Sequence, residues 1–521
     1  MRVLKFLVIG AGSRGNAYAR AIITSPKACV YAVAEPDPYK RQIFGQRFIW
    51  GDEDKPKDKG QEFQGWRDWI AFEMNRRRSP PTTDDHNAPE GVDGLFICTL
   101  DETHIEILTA IAEANLQDIH VLCEKPLALS VADCMRVYAV RKESPSIFSI
   151  GHVLRYSPHN LLLRRLVRGD RVIGDVISIE HTEPIGFWHF AHSYVRGNWR
   201  RAATPGGDGS LLTKSCHDLD FILWLLEQGE FGGDTDVGPR YTLRTISSSG
   251  HLAQFQQGRK PPAAGKATNC LSCPIEEECL YSAVRIYRDQ HLAKGKRGWP
   301  VKIVCPDIED SYSVSPASAE KRLLDHLGED YDSMSLTPGE VASRPWYGRC
   351  VWECDNDVCD DQVVTLTWNG NELPGGRPGG RTAIFHMIAH SEEKTDRRGR
   401  IYGTHGEITY DTKTIAIYSF GTRQRTTIEV PKMSPEEGKA HSGGDYGLVR
   451  AFTAAVDAVI NHGWEVENAQ RTYVGCSLED IVQTHAVVFA AEEARRDENI
   501  IKWKEWWDAK LKDAEKTVRP S

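Results

Sequence analysis

The sequence predicts an α/β domain with a parallel sheet, followed by an α+β domain with a mostly antiparallel open sheet. Through residues 1–150, apolar runs alternate with helical patterns, which is the rhythm of βαβ units. From about Val172 onward, strand-like runs follow one another across turns, without helices between them. A helical pattern returns after Tyr446. We therefore expect domains over residues 1–150 and 151–450, and C-terminal helices with a tail over 451–521.

The first domain contains a regular series of short apolar runs that predict strands. The predicted strands are KFLVIG, CVYAVAE, GLFICTL, HVLCEK and SIFSIGH, and the helices between them include NAYARAIITS and EILTAIAEANL. Polar, proline-rich stretches between the second and third of these strands predict surface insertions.

The second domain is predicted from five strand-like runs, VISIEHTEP, RYTLRTISSSGHLAQFQ, QVVTLTWNG, RTAIFHMIAH and EITYDTKTIAIYSF. Residues 258–349 are loop-rich and are predicted to be an insertion without a core of its own. Ser477 and Asp480 stand at capping-box spacing before a helix. The polar segment KWKEWWDAKLKDAEKTVRPS is predicted to fray.

Composition excludes several classes of function. The chain has 521 residues, of which 40% are hydrophobic and 26% charged, and its net charge of −9 argues against a nucleic-acid partner. No apolar run reaches the roughly 18–20 residues of a membrane helix, so no membrane partner is expected. The apolar N-terminus leads directly into a glycine motif and predicts a strand rather than a signal peptide. Thirteen scattered cysteines indicate reduced thiols and a cytoplasmic protein.

A glycine-rich turn follows the first strand. Gly10, Gly12 and Gly15 form G-x-G-x-x-G at the start of a helix, where free N–H groups can hold a pyrophosphate. Ser13 and Arg14 lie inside this loop and are assigned to the same cofactor site. The alternative is a glycine-rich turn in an ordinary α/β domain.

The second strand ends at Glu35, 20 residues after Gly15. A carboxylate at this place can accept hydrogen bonds from both ribose hydroxyls and would repel a 2′-phosphate, so the sequence predicts NAD over NADP. Arg41 or Lys40 could still admit the phosphate.

The fourth predicted strand ends in Glu124, Lys125 and Pro126. Open parallel sheets bind ligands at the carboxyl ends of their strands, so Lys125 can reach a substrate hydroxyl there. The alternative is a surface lysine before a turn.

Five segments, in this order, resemble the Gfo/Idh/MocA oxidoreductases, the group of glucose–fructose oxidoreductase and inositol dehydrogenase. They are VIGAGSRG, ICTLDETHIEI, HVLCEKPLA, GHVLRYSP and GGDGSLLTKSCHDLDFILWLL, and the E-K-P tripeptide is the most specific. The resemblance implies a Rossmann NAD(P)-binding domain. It also implies hydride transfer between nicotinamide and a hydroxyl-bearing carbon of a sugar, polyol or glycoside. A homo-oligomer formed through the open face of the second sheet is implied as well.

The resemblance also assigns residues by position. Thr99, His104 and Glu124 would line the cofactor, Lys125 would serve both cofactor and catalysis, and His217 would exchange the hydroxyl proton. Asp220 would be the later acid of the same segment. The family has an aspartate four residues before the histidine, where this chain has Thr213 followed by Lys214. Lys214 or Asp218 could take over its task.

Two other functions remain open within this resemblance. Some relatives keep NAD bound and cleave glycosides by transient oxidation and elimination, and others bind dinucleotides as regulators without catalysis. Lys125 and His217, both present, argue against the regulator.

The segment GFWHFAHSYVRGNWRR is rich in aromatic and basic residues and predicts a wall of a carbohydrate pocket. The alternative is an amphipathic surface loop. The predicted substrate-binding residues are Arg155, Tyr156, His189, His192, Arg196, Trp199, Lys214 and His217, with His441 and Asp445 as further candidates. His485, on the apolar face of its helix, is predicted to be structural.

A cysteine cluster occupies the insertion. Cys270, Cys273 and Cys279 lie close in sequence and suit a tetrahedral structural zinc, with Cys350 as the leading fourth ligand. Cys354 is a leading candidate for that fourth place as well, and Cys305 and Cys359 come after them. Free thiols and an iron–sulfur cluster are the alternatives.

Overall fold

Two sheets organise the computed structural model, each with its own helices. It describes residues 1–51, 58–78, 90–202, 209–226, 241–332, 335–373, 377–392, 396–438 and 441–518. Parts of the polar insertions predicted between the second and third strands lie outside these residues.

The first sheet is parallel throughout and confirms the predicted α/β domain. Its strands are β1 (Leu4–Ile9), β2 (Ala28–Ala34), β3 (Glu62–Phe63), β4 (Gly94–Ile97), β5 (His120–Cys123) and β6 (Phe148–Ile150), in the order β3-β2-β1-β4-β5-β6. Its helices are α1 (Ser13–Ile22), α2 (Pro38–Phe48), α3 (Trp66–Arg78), α4 (His104–Glu113) and α5 (Val131–Arg141). The strand order reverses between β1 and β4, and such a reversal opens a ligand crevice at the carboxyl ends of the strands.

The second sheet is mostly antiparallel, as predicted. Its strands are β7 (Val176–Gly186), β8 (Tyr241–His251), β9 (Asp361–Leu373), β10 (Arg377–Ser391), β11 (Arg398–Gly403), β12 (Gly406–Tyr410), β13 (Ile415–Ser419), β14 (Arg425–Ile428) and β15 (Ile500–Lys502). The order is β14-β13-β12-β11-β7-β10-β9-β8-β15, and β7 and β10 form its parallel pair. Alternation buries Val364, Leu366 and Phe385 on one face and leaves Ile384 exposed on the other.

The remaining helices surround the second sheet and join the two sheets. They are α6 (Pro158–Arg164), α7 (Phe187–Phe190), α8 (Gly209–Thr213), α9 (Cys216–Leu226), α10 (Val301–Val304), α11 (Ile308–Val314), α12 (Pro316–Gly328), α13 (Pro338–Ala342), α14 (Pro435–Gly438), α15 (Gly444–His462), α16 (Val466–Ala469), α17 (Leu478–Arg496) and α18 (Trp503–Val518). The predicted capping box of Ser477 and Asp480 begins α17, which packs against both α5 and β8. None of the helices in the described residues has the length and apolar character needed to span a membrane.

The insertion differs from its prediction because it has a small core. Buried residues of α10, α11 and α12 pack with Ile286 and Tyr287 and against Trp188 of α7. The sequence pattern did not reveal this core, because its apolar residues lie on helices of only one to four turns, which show little periodicity.

The C-terminal tail also differs from its prediction. It forms β15, which pairs with β8, and then α18. Trp506 is buried, and the Trp503 ring stacks on those of Trp506 and Trp507 at centroid distances of 5.7 and 5.5 Å. The polar composition predicted fraying, but these tryptophans anchor the helix.

Candidate functional site

The glycine loop lies at the reversal of strand order, between β1 and α1. Gly10 has φ +95, and a Cβ there would meet the Cys98 carbonyl oxygen at 2.6 Å. A Cβ at Gly15 would collide with the carbonyl oxygen of Gly10, whereas a Cβ at Gly12 would meet nothing within 4 Å. The loop is therefore tight at Gly10 and Gly15 and open at Gly12, where a ligand backbone can approach. Ser13 is exposed beside this opening.

Glu35 is buried at the end of β2 and contacts the loop. Its carboxylate accepts hydrogen bonds from the backbone N–H of Ala11 at 2.7 Å and of Asp37 at 3.0 Å. The nearby cations have carboxylates of their own. Arg41 donates to Glu62 at 2.9 Å, and Lys40 lies 3.7 Å from Asp37.

Arg14 connects the loop to the rest of the site. Its Nε donates to Glu124 at 2.7 Å, and its two Nη atoms donate to Asp445 of α15 at 2.8 and 3.1 Å. The Tyr18 hydroxyl also donates to Glu124, at 2.5 Å. Burial opposes ionisation of Glu124, but Arg14 and Tyr18 outweigh it and lower the pKa of this carboxyl. His441, 3.1 Å from Asp445, completes the cluster.

Thr99 and His104, predicted to line the cofactor, lie at different depths. Thr99 follows β4 beside the loop, and its hydroxyl accepts a hydrogen bond from Thr103 at 2.6 Å. His104 is fully buried, and its Nδ1 donates to the Pro126 carbonyl at 2.7 Å. His104 therefore supports the turn that contains Lys125.

Lys125 and His217 come together from the two domains. The Lys125 amine donates to the backbone carbonyl of Thr213, at the end of α8. Residue 213 therefore holds Lys125 through its backbone carbonyl. Any residue type at this position would supply the same group. His217 lies four residues further along, in the first turn of α9.

His217 is buried beside several positive groups. Burial, the Lys125 amine and His152 lower its pKa well below the usual range, so the ring is neutral near pH 7. Its Nδ1 is buried and has no hydrogen-bond partner in the described residues. The His152 ring stands edge-on to it at a centroid distance of 5.7 Å.

The acids near His217 in sequence are directed elsewhere. Asp220 accepts two hydrogen bonds from Arg155, both at 2.7 Å, so this predicted substrate residue is committed to a buried ion pair. Asp218 accepts from Arg397 at 2.5 Å and contacts His181 at 2.8 Å. It therefore does not take over the task of the missing aspartate.

Lys214 lies beside the buried charged groups that include Asp218 and Arg397. Its amine lies 3.2 Å from Glu183, which also accepts a hydrogen bond from Arg397 at 2.7 Å. Burial lowers the pKa of Lys214. Tyr156, another predicted substrate residue, is buried and donates to the Val474 carbonyl at 2.9 Å.

The predicted carbohydrate wall is a helix, and most of it lies under the insertion. It runs through α7 into a π-helical turn, Ala191–Arg196. His192 is 2% exposed and contacts the Tyr287 hydroxyl at 2.8 Å, and Arg196 is 1% exposed. His189 packs against Trp299 at a ring distance of 4.8 Å. The structure places these three residues against the insertion, because its core covers that face of the helix.

Trp199 is the part of this segment that reaches the cofactor side. It is 37% exposed, and its indole N–H donates to Asp101 at 3.1 Å. Asp101 lies just after β4, and sequence reasoning missed it, as it missed Glu183 and Arg397. The position of Asp101 after a parallel strand was the signal that could have found it.

The four predicted metal ligands line one cavity. Its walls include Cys270, Cys273, Cys279 and Cys350, together with Arg196. Among the described residues, a group of at least three possible ligand atoms within 4.8 Å of one another is formed by Cys305, Asp307 and His326 instead. The four cysteines thus share one cavity, but their sulfur atoms are further apart than the ligands of a tetrahedral zinc ion. Cys354 is not among the residues that line this cavity, and its thiol donates to the Cys350 carbonyl at 3.3 Å.

Relatives are found along much of the chain. YteT of Bacillus subtilis (strain 168) is 25% identical over 372 residues, which cover 68% of this chain and 70% of that protein. Inositol 2-dehydrogenase 2 of Saccharopolyspora erythraea is 32% identical over 139 residues, which cover 26% of this chain and 36% of that protein. The chain therefore spans about a third of this second relative.

Solved structures show the same fold over nearly the whole length. Levoglucosan dehydrogenase, in complex with NADH and levoglucosan, superposes with a TM-score of 0.57 at 15% identity, covering 96% of this chain and 99% of that one. Residues 4–152 match the model of the oxidoreductase family with an NAD-binding Rossmann fold. This match over residues 4–152 agrees with the resemblance to the GFO_IDH_MocA oxidoreductases that was drawn from the sequence.

Proposed function

We propose that this chain is an NAD-dependent oxidoreductase that acts on a hydroxyl-bearing carbon of a sugar, polyol or glycoside. The observation that carries the proposal is the meeting of Lys125 and His217. A cationic amine at the end of β5 reaches the backbone beside a buried, neutral histidine, next to the glycine loop. The names of the relatives, inositol 2-dehydrogenase and levoglucosan dehydrogenase, support the substrate class.

The residues of the loop suit a dinucleotide. The open space at Gly12 and the N-terminus of α1 can receive a pyrophosphate, and Glu35 can exchange its backbone donors for ribose hydroxyls. When bound, the nicotinamide supplies the hydride chemistry. NAD is favoured over NADP because Arg41 and Lys40 are each near a carboxylate, and because Glu35 would repel a 2′-phosphate.

The protein's own task is to place the substrate oxygen and move its proton. A neutral His217 can accept the hydroxyl proton, and its unpartnered Nδ1 shows that the ring has hydrogen-bonding capacity to spare. Lys125 can donate to the same oxygen while it holds the Thr213 carbonyl, and its charge would stabilise a developing alkoxide. Trp199 and Lys214 remain our candidates for contacts with the rest of the substrate.

The first alternative is a glycosidase that retains NAD. It would use the same residues, but it would release no net NADH. The regulator would bind NAD(H) and show no turnover. The Lys125–Thr213 contact beside His217 favours catalysis, because a dinucleotide-binding regulator needs neither group.

Three further features belong to this proposal. The four cysteines of the cavity hold a metal centre, and zinc is the ion that their spacing alone predicts. The exposed face of the second sheet carries Ile177 and Ile384, which a second copy of the chain would cover. Among the described residues, none of the thirteen cysteines forms a disulfide, which suits the reducing cytosol.

The test is NADH formation by purified protein with NAD⁺ across a panel of sugars, inositols and glycosides. Absorbance of NADH with some members supports a dehydrogenase. Release of aglycone with constant NADH would replace it by the retaining glycosidase. Tight NAD(H) binding with neither signal would leave the regulator. Light scattering on the same sample measures the oligomer.

A further inference from the structure

The cysteine cavity is built by backbone contacts between two distant segments. Asn269 and Arg349 form an antiparallel bridge, the Cys270 N–H donates to the Gly348 carbonyl at 2.8 Å, and the Cys350 N–H donates to the Thr268 carbonyl at 2.7 Å. These bonds place Cys270 and Cys350 on neighbouring chains, while short turns bring Cys273 and Cys279 to the same cavity.

Three of the four sulfur atoms accept hydrogen bonds. The Ala283 N–H donates to Cys270 at 3.4 Å, and the backbone N–H groups of Tyr281 and Trp352 donate to Cys279 and Cys350. The last two donors each come two residues after the cysteine. Backbone N–H groups directed at the sulfur atoms would serve as outer-shell hydrogen-bond donors to metal-bound cysteines.

Arg196 supplies a second, independent observation. It is 1% exposed, its Nη1 has no hydrogen-bond partner in the described residues, and its other bonds go to the carbonyls of Arg349 and Tyr281 and to the Cys270 sulfur at 3.4 Å. No carboxylate of the described residues forms an ion pair with it. A buried guanidinium without a counterion is costly. A metal centre with four thiolate ligands has a net negative charge. It would serve as the counterion of Arg196 and offset the cost of burying the guanidinium.

The spacing of the sulfur atoms decides between metals. Zinc with four thiolates at about 2.3 Å would place the sulfur atoms about 3.8 Å apart. No three of these four sulfur atoms lie within 4.8 Å of one another. An iron–sulfur cluster holds its cysteines further apart, because bridging sulfides and several irons lie between them.

We propose that Cys270, Cys273, Cys279 and Cys350 bind an iron–sulfur cluster, with Arg196 as its buried counterion. The cluster joins the insertion to the π-helical turn Ala191–Arg196, three residues before Trp199. It is a structural centre, and the proposal does not depend on the proposed oxidoreductase activity.

The test begins with the full chain produced with iron and cysteine in excess and purified without oxygen. Iron, acid-labile sulfide and zinc are measured per chain, and ⁵⁷Fe Mössbauer spectra identify the cluster type. We expect iron and sulfide in equal amounts, at two to four atoms each per chain for the common clusters. Zinc in stoichiometric amount without sulfide would overturn the cluster, and absence of both metals would overturn the metal centre.

A matched pair of variants tests the ligand set. Cys350→Ser should lose most of the iron and sulfide, while Cys354→Ser, in the same segment but outside the cavity, should keep them. Equal loss in both variants would overturn Cys350 as the fourth ligand. If Cys350→Ser does not fold, the metal content and Mössbauer spectrum of the unaltered chain still decide the proposal. NAD(H) affinity measured on the same samples separates a failure here from a failure of the proposed activity.

Discussion

The Lys125 amine forms its hydrogen bond with the second domain rather than with the dinucleotide loop. Its hydrogen bond goes to the Thr213 carbonyl of the second domain, while Arg14 makes the ion pairs with Glu124 and Asp445. Removing the amine should therefore affect the chemical step more than cofactor binding.

We predict that Lys125→Ala lowers kcat by about 100-fold or more, because a positioned donor to a developing alkoxide is lost. NAD(H) affinity, measured by calorimetry, should change less than about threefold. Lys142→Ala, at an exposed lysine beyond α5, is the matched control and should leave both quantities unchanged. An equal loss of affinity and turnover in Lys125→Ala would remove Lys125 from the chemistry.

The charge state of His217 gives a second expectation. Because burial and Lys125 lower its pKa well below the usual range, its ring is already neutral at the pH where an ordinary histidine titrates. The rate of substrate oxidation should therefore show no acid limb between pH 6 and 7 from this group. A tenfold fall in kcat/KM over that unit, measured in salt-matched buffers, would show that His217 titrates normally.

At the scale of elements, the β1–α1 turn shows how three glycines serve different purposes. Gly15 lets the first turn of α1 pack on the Gly10 carbonyl, and no larger residue fits there. Gly12 is open to solvent with φ −73, which any residue can adopt. In the free protein Gly10 and Gly15 are required for packing, whereas Gly12 matters once a ligand approaches.

This difference predicts opposite results for two small substitutions. Gly12→Ala should leave the free energy of unfolding within about 0.5 kcal/mol, but weaken NAD binding about tenfold or more, since its methyl group fills the ligand space. Gly15→Ala should lower the free energy of unfolding by about 1–3 kcal/mol through overpacking and also weaken binding. Urea titrations and calorimetry give both quantities. Unchanged NAD affinity in Gly12→Ala would place the pyrophosphate elsewhere.

The helix from Phe187 to Arg196 shows that the segments packed against a helix determine which of its residues a ligand can reach. Its aromatic and basic residues suit a sugar pocket, but the insertion, about 70 residues further along the chain, covers His192 and Arg196. Trp199 lies beyond the end of this helix and reaches Asp101 instead.

Across the whole molecule, buried neutral histidines link stability to pH. Burial lowers the pKa of His120 and His485 to about 4 and of His152 and His192 to about 3. Between pH 6.5 and these values the unfolded chain binds protons that the folded chain does not. Stability is therefore present above pH 6.5 and is lost as the pH falls.

We predict that the free energy of unfolding falls by up to about 4 kcal/mol from pH 7.5 to pH 5.5. Each of the four histidines lowers it by about 1.4 kcal/mol per pH unit below pH 6.5, and His104, whose pKa is raised to about 10, offsets about one of them. Urea denaturation at fixed ionic strength measures this change. The interval from pH 7 to pH 8 serves as the control, since the four histidines are neutral there in both states and contribute little change. Equal stability at pH 7.5 and pH 5.5 would mean that these rings are not buried as neutral groups.

The sequence by itself determined the features that depend on local order. Periodicity marked the parallel strands and the antiparallel sheet, and the G-x-G-x-x-G turn and the E-K-P tripeptide each follow a strand, because their places are set by neighbours along the chain. The cysteine spacing likewise indicated a shared site.

Only the tertiary structure decided which side chains meet. Arg155 and Asp220 neutralise each other, Asp218 serves Arg397, and the carbonyl of Thr213, rather than its side chain, holds Lys125. The core of the insertion and the cover over His192 and Arg196 arise from contacts between residues far apart in sequence. These pairings depend on burial, because charges removed from water must find partners wherever the fold brings them, and no local pattern encodes that choice.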